Sequence, residues 1–299
     1  MHPSRILVVG AGYIGEAFAD LAHANGREVV AFTASEESSR VLATTKSYKV
    51  AACDVSIRES VDRVRSEQGG FEMVLFSASS GRGGADRYRS VYLEGARNLA
   101  AAFPDAHLLY TGSTSVYAQT DGSWVDETSP AGPDRETGKL LVQTEQVVLG
   151  AAGTVARLAG IYGPGRSVLL RKFFAGTAVL EGNGLRWINQ AHRDDIARAL
   201  WTMGEKSALT AGQIFNVCDD RPITQRDCYE WLAAHFDRPL PPLAPPDYDR
   251  KRGWTNKRVS NARLHALGWT PDFPSFFDAV QAGLDPGHPM AGSARADSA

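Results

Sequence analysis

The sequence predicts an α/β protein: a doubly wound parallel sheet with a smaller C-terminal α/β portion. Three observations predict it. Short apolar runs at Arg5–Val9, Glu28–Thr33, Lys49–Ala52, 72–77, 107–112 and Thr154–Leu158 alternate with helical patterns, as βαβ units require. A glycine-rich turn, Gly10 to Gly15, stands between the first run and the first helical pattern. The 299 residues suffice for a large sheet domain plus a smaller second part around a continuous core.

Each element has its own reason. RILVV at 5–9 is short and apolar throughout, as a strand buried on both faces must be. Residues 13–25 carry apolar positions at helical spacing, and Gly26 closes the helix as its C-cap. Helical patterns at 86–103 and 134–149 separate the later strands. Beyond Gly160 the pattern loosens, with helices predicted at 193–204, 224–235 and 274–283 and a strand at Ile214–Val217. The proline-rich run 239–246 cannot be helix or central strand, so it reads as a stiff surface connector. The small, polar stretch 286–299 reads as a disordered tail. The expected division is therefore 1–160, 161–285 and tail, with some elements interleaving.

Bulk properties exclude several function classes. The chain is 43% hydrophobic and 22% charged, an ordinary globular balance. A net charge of −2 without long single-sign runs attracts neither nucleic acid nor an anionic membrane. No apolar run spans a bilayer, and the first strand begins too early for a signal peptide, so a cytoplasmic location is expected. Cys53, Cys218 and Cys228 are odd in number and form no CxxC or Cys/His cluster, so neither a disulfide nor a metal site is expected.

The glycine turn carries the first chemistry. Gly10 permits the sharp turn, Gly12 lets the backbone approach a pyrophosphate, and Gly15 lets the helix pack close. Strand, GxGxxG and helix in that order predict a Rossmann site for NAD(P), where exposed amide N–H groups and the helix dipole favour the anion; Gly10, Gly12, Tyr13, Ile14 and Gly15 are the candidates. The end of the second strand, which meets the adenosine ribose, offers Thr33 and Ser35, with Arg40 further on. Hydroxyls with a nearby Arg lean towards NADP, although Arg40 reads equally as a solvated helix residue. Asp54 is placed to touch an adenine amino group or to cap a helix. Ser77 and Ala78, where the fourth strand ends, complete the cofactor candidates.

Further landmarks follow: Cys53-Asp54-Val55, Leu109-Tyr110-Thr111-Gly112-Ser113-Thr114-Ser115-Val116-Tyr117, Asp126-Glu127, Gly160-Ile161-Tyr162-Gly163-Pro164-Gly165-Arg166 and Asn189-Gln190-Ala191-His192-Arg193-Asp194-Asp195. With them the chain resembles, over about residues 5–284, the extended short-chain dehydrogenase/reductase superfamily, the NAD-dependent epimerase/dehydratase group. That resemblance implies a smaller C-terminal substrate-binding domain and a nicotinamide meeting substrate between the two parts. It also implies a homodimer formed through the helices 86–103 and 134–149. The group's chemistry is done by a Tyr-x-x-x-Lys pair and a Ser or Thr.

This chain departs from that pattern. None of its nine tyrosines has a Lys four residues later. Aligned on Glu145, Thr137 stands where the Tyr should be and Leu141 where the Lys should be, while Tyr92 replaces a frequent Asn. The resemblance is to the atypical branch, which keeps the cofactor fold without the dyad. Ser113 matches the catalytic Ser/Thr; it also reads as a cap in a Ser/Thr-rich loop. Tyr92 and Tyr162 are the preferred replacement acids or bases, ahead of Tyr117, Lys139 and His192. Tyr117, Arg166, Trp187, Asn189 and His192 are the substrate-binding candidates. Arg171, Lys172, Arg186 and Arg193 add to Arg166 a basic cluster suited to an anionic or polyhydroxylated substrate. Of 254–261, a mainly structural segment, Asn256, Lys257 or Arg258 could reach the cleft.

The favoured reading is an NAD(P)-dependent oxidoreductase or epimerase-like enzyme acting on a small polar or sugar-like molecule. A non-catalytic nucleotide sensor is one alternative. A non-redox cyclase or lyase on the same scaffold is another.

Overall fold

A computed structural model describes residues 4–81, 83–249 and 253–284. The expected tail at 286–299 lies outside them. The central sheet has seven strands: β1 (Arg5–Val9), β2 (Glu28–Thr33), β3 (Lys49–Ala52), β4 (Met73–Phe76), β5 (His107–Ser113), β6 (Thr154–Leu158) and β7 (Ile214–Val217). Their order is β7-β6-β5-β4-β1-β2-β3, with every pairing parallel. The doubly wound sheet is therefore present. Its winding reverses between β1 and β4, where Val9 pairs with both Phe32 and Phe76. Ligands of such sheets sit in the crevice at that reversal, beyond the strands' carboxyl ends.

Helices cover both faces, which is why MVLF of β4 is buried throughout. On one face the helix Tyr13–Ala24 buries Ile14, Phe18, Ala19 and Ala22. It packs against the helix Arg193–Glu205, whose inner face is Ile196, Ala197, Ala199, Leu200 and Met203. The other face is covered by the helices Arg58–Gln68, Gly95–Ala102 and Glu136–Gly150. A third core, with Tyr162, Leu170, Phe173, Tyr229 and Phe276, belongs to the C-terminal part.

The last strand of the sheet and the helix Arg193–Glu205 come from beyond residue 160, the kind of interleaving that the expected division allows. Two expectations change. The predicted helix 86–103 is interrupted: Ala85–Tyr88 runs into a π-helical turn, Arg89–Glu94, before Gly95–Ala102. The proline-rich connector contains a two-residue strand, Leu243–Ala244, paired with Leu180–Glu181; only two residues pair because the flanking prolines lack N–H donors. Among the described residues no helix is long and apolar enough to cross a membrane. Among the described residues, none of the large exposed apolar ones lies on the two helices expected to dimerise.

Candidate active site

The glycine turn is built by contact as much as by conformation. Gly10 has φ +95°, and a Cβ there would lie 2.4 Å from the Ala78 backbone. A Cβ on Gly15 would lie 2.2 Å from the Gly10 carbonyl oxygen. Gly12 differs: nothing lies within 4 Å of a Cβ built on it. It caps the helix Tyr13–Ala24 without a side-chain hydrogen bond, so space lies open beside the start of that helix.

That space is a cleft of about 420 Å³ at the sheet's reversal. Of the sequence candidates it brings together Gly10, Gly12, Tyr13, Ile14, Thr33, Asp54, Ser77, Ala78, Tyr92, Ser113 and Arg166. Gly15 stands behind the turn, where its lack of a side chain sets the packing. Asp54 caps locally as well, its Oδ1 accepting from Ser56 N (3.0 Å) and Ser56 Oγ (2.6 Å). Ser35 and Arg40 do not line the cleft. Ser35 Oγ caps its own helix by accepting from Ser38 N (3.2 Å), and Arg40 Nε turns back to the Glu36 carbonyl (3.3 Å). Ser38 lines the cleft instead.

At the end of β5, Ser113 Oγ donates to Ser115 Oγ (2.9 Å) and accepts from Ser115 N (3.2 Å). Ser113 is thus both a cleft residue and a local cap. Tyr92 lies in the π-helical turn, a distortion that re-aims side chains and recurs at functional sites. Its hydroxyl oxygen accepts from Ser80 N (3.2 Å), and its own O–H has no acceptor among the described residues.

A second cavity, about 610 Å³, adjoins the first. Tyr88 and Leu141 line both; Ser115, Thr137, Arg135, Trp254 and Thr255 line the second. Sequence reasoning missed Tyr88 and Ser115. Tyr88 precedes Tyr92 by four residues, one helical turn, and that spacing was the available signal.

The profile of the NAD dependent epimerase/dehydratase family matches residues 6–218. The chain belongs to the NAD-dependent epimerase/dehydratase family. No curated protein matches it. A structure from Methylobacillus flagellatus, provisionally assigned as an NAD-dependent epimerase/dehydratase, is 26% identical, with TM-score 0.72 over 93% of this chain and 97% of that one. Two more distant structures share the fold. A dTDP-glucose 4,6-dehydratase from Bacillus anthracis, in complex with NAD, is 17% identical with TM-score 0.77, covering 93% and 94% of the two chains. A UDP-Glc/GlcNAc 4-epimerase from Campylobacter jejuni is 19% identical with TM-score 0.76, covering 93% and 96%.

Several residues expected at the site of this epimerase/dehydratase-family chain lie elsewhere. Tyr162 is 1% exposed and packs edge-on against His192 and Phe276 in the C-terminal core. Its hydroxyl has no partner among the described residues, and burial pushes its pKa up, which suits neither acid nor base. Tyr117 is fully buried; its hydroxyl donates to Asn216 Oδ1 (2.9 Å) and its ring lies under the Arg157 guanidinium. Asn189 spends its amide on backbone, donating to the Lys257 carbonyl (2.9 Å) and accepting from Val259 N (2.7 Å). His192 caps the helix Arg193–Glu205 through Nδ1, and burial lowers its pKa. Trp187 stacks with Arg258 and lines neither cavity. Lys139, Arg171 and Lys172 are exposed on helix surfaces, and Arg186 faces Glu181 (3.4 Å). Of the anticipated basic cluster, Arg166 alone lines the cleft at the sheet's reversal.

Among the described residues Lys257 is a buried cation without a carboxylate partner. Its Nζ donates to the Tyr117 carbonyl (3.0 Å) and to Thr255 Oγ1 (2.9 Å). Burial, reinforced by the Arg186 charge, pulls its pKa down to about 8. The unfolded chain, with the ordinary lysine value, binds this proton more tightly than the folded one. Lys257 therefore destabilises the fold fully below pH 8, and the penalty is relieved as pH rises through 8 towards 10.5. Relative to Lys257→Met, the wild type is expected to gain about 3 kcal/mol across that window. Urea unfolding of both proteins at pH 7.5, 9 and 10 measures it; a constant difference rejects the assignment.

Proposed function

We propose that this chain is an NAD-linked oxidoreductase of the epimerase type acting on a carbinol or carbonyl carbon of a small polar, sugar-like substrate. One observation carries the reading. A cleft with a dinucleotide-type glycine turn is lined by Ser113 and Tyr92 and shares Tyr88 and Leu141 with a second cavity. Substrate in the second cavity would present its reacting carbon at that junction.

The residues fit a nicotinamide dinucleotide. The space at Gly12 admits a pyrophosphate to the helix N–H groups, Thr33 and Ser38 line the ribose end, and Asp54 faces the adenine end. NAD is favoured over NADP. The Arg40 guanidinium turns back to its own helix, and Glu36 and Glu37 in that helix's first turn oppose a 2′-phosphate. When bound, the nicotinamide supplies the hydride acceptor or donor.

The protein's own residues handle the proton and the oxygen. Tyr92, whose oxygen accepts the Ser80 N–H, has its O–H available to a substrate oxygen. Ser113 orients that oxygen and passes its own hydrogen bond to Ser115. Thr137, on the wall of the second cavity, carries an aliphatic hydroxyl and is a weaker acid than a phenol. Leu141 offers no charge to a ribose hydroxyl.

Calorimetric titration with NAD⁺, NADH, NADP⁺ and NADPH tests the cofactor, with NADH expected to bind more tightly than NADPH. No binding to any of the four rejects the redox reading. Given a substrate from a sugar screen, Ser113→Ala and Tyr92→Phe are each expected to lower kcat about 100-fold. Nucleotide affinity should not change. Unchanged turnover in Tyr92→Phe would remove Tyr92 from the mechanism.

A further inference from the structure

We propose that Thr255, held by the ammonium of Lys257, binds an anionic oxygen in the second cavity, so that the sugar-like substrate carries a carboxylate. The proposal rests on the reading that the second cavity holds the substrate.

Thr255 reaches the cavity on a segment that the fold fixes firmly. The next residue, Asn256, donates its N–H to the Gln119 carbonyl (3.0 Å), and its own carbonyl accepts from Gly122 N (2.9 Å). Asn256 Oδ1 accepts from Trp187 N (2.9 Å). Arg258–Val259 then pairs in parallel with Trp124–Val125. Residue 255 therefore stands just before a clamped stretch, and Thr255 lines the second cavity with Ala118 and Trp254. Lys257 is 5% exposed. Its Nζ donates to Thr255 Oγ1 (2.9 Å) and to the carbonyl of Tyr117 (3.0 Å), the residue before Ala118. The ammonium is thus bonded to one residue of the cavity wall and to the neighbour of another.

The charge on this wall is not compensated among the described residues. Both acceptors of Lys257 are neutral. Arg186 is the charged group whose field reaches Lys257; it has the same sign, and Glu181 opposes it at 3.4 Å. Asp134 and Arg135, the charged residues that line the cavity, are opposite in sign. A buried cation without a counter-charge costs stability, and a hydroxyl and a carbonyl do not neutralise it. Its effect on Thr255 gives it a use. Thr255 Oγ1 accepts from Lys257, which leaves its own hydrogen to donate, and no acceptor for that hydrogen lies among the described residues. A carboxylate oxygen in the cavity would take this hydrogen and feel the ammonium charge behind it. A neutral hydroxyl in the same place would gain the hydrogen bond alone.

D-Glucuronate and D-glucose share one ring and differ in a carboxylate against a hydroxymethyl group, so the pair isolates the charge. Ligand-observed NMR titrations at pH 7, where Lys257 with its pKa of about 8 is mainly protonated, compare them on wild type and variants. The protein carries no nucleotide in these titrations, so the result is separate from the cofactor assignment. Wild type is expected to bind glucuronate about 10-fold more tightly than glucose. Lys257→Met should bring glucuronate down to the level of glucose and leave glucose itself unchanged. That variant loses a charge that costs the fold stability at pH 7, so it should fold. Thr255→Val should abolish the preference with Lys257 in place, and Thr255→Ser, which keeps the hydroxyl, should retain it. Equal affinities in wild type overturn the proposal, as does a preference that survives Lys257→Met or Thr255→Val. Wild type that binds neither sugar overturns the sugar-like substrate of the proposed function, and this assignment with it.

Discussion

Gly12→Val is expected to leave the apo protein folded and to abolish its response to nucleotides. The two halves of that expectation rest on one geometric fact. Gly10 and Gly15 are glycine because protein atoms stand where their Cβ would go, at 2.4 and 2.2 Å, whereas at Gly12 nothing stands within 4 Å. Gly12 also has an extended backbone, φ −94° and ψ −155°, outside the left-handed region that favours glycine. The fold therefore does not demand glycine at this position. The space beside it is where a pyrophosphate would reach the helix N–H groups, and a valine side chain would fill that space. A ligand at 100 times its Kd stabilises the native state by about 2.7 kcal/mol. Differential scanning calorimetry with and without NADH should show that gain in wild type and lose it in Gly12→Val, at equal apo Tm. Gly15→Ala is the contrasting control, since its Cβ collides with the Gly10 carbonyl and should lower the apo Tm itself. A Gly12→Val protein that still gains stability from NADH would place the nucleotide elsewhere.

Arg157→Met is expected to cost about 3–5 kcal/mol of stability, a fall in Tm on the order of 10 °C. Arg157 and Glu145 are 4% and 2% exposed and form a bidentate pair at 2.9 and 2.7 Å. The pair joins β6 to the helix Glu136–Gly150. Arg157 also lies 4.8 Å over the ring of Tyr117. Removing the guanidinium leaves a carboxylate in a site closed to water, and the cost is mainly that of the stranded charge. The double variant Arg157→Met/Glu145→Leu should therefore be more stable than Arg157→Met alone. Urea unfolding of the three proteins measures this; additive losses would show that packing, not charge, dominates. Function should follow stability here. Glu145 Oε1 lies 3.3 Å from where a Cβ on Gly112 would be, one residue before Ser113. A strained pair would loosen the end of β5 on which Ser113 is carried.

By itself the sequence determined the strands and the glycine turn. Arg5–Val9, Glu28–Thr33, Lys49–Ala52, Thr154–Leu158 and Ile214–Val217 are observed at their predicted limits. Strand 72–77 is shorter by a residue at each end. These properties are local. An apolar run of five residues has to be buried, and a left-handed turn against neighbouring backbone admits only glycine. The π-helical turn at Arg89–Glu94 was not legible, because its side-chain spacing barely differs from that of an α-helix. Neither was the destination of most polar side chains. Tyr162 and Arg166, four residues apart, end in the C-terminal core and in the cleft at the sheet's reversal respectively. Tyr117 is committed to Asn216, 99 residues away, and Lys257 to the Tyr117 carbonyl, 140 residues away. Which way a tyrosine or an arginine faces depends on what distant segment packs beside it. Only the tertiary structure decided that, because those contacts form between elements whose separation along the chain carries no record of their meeting.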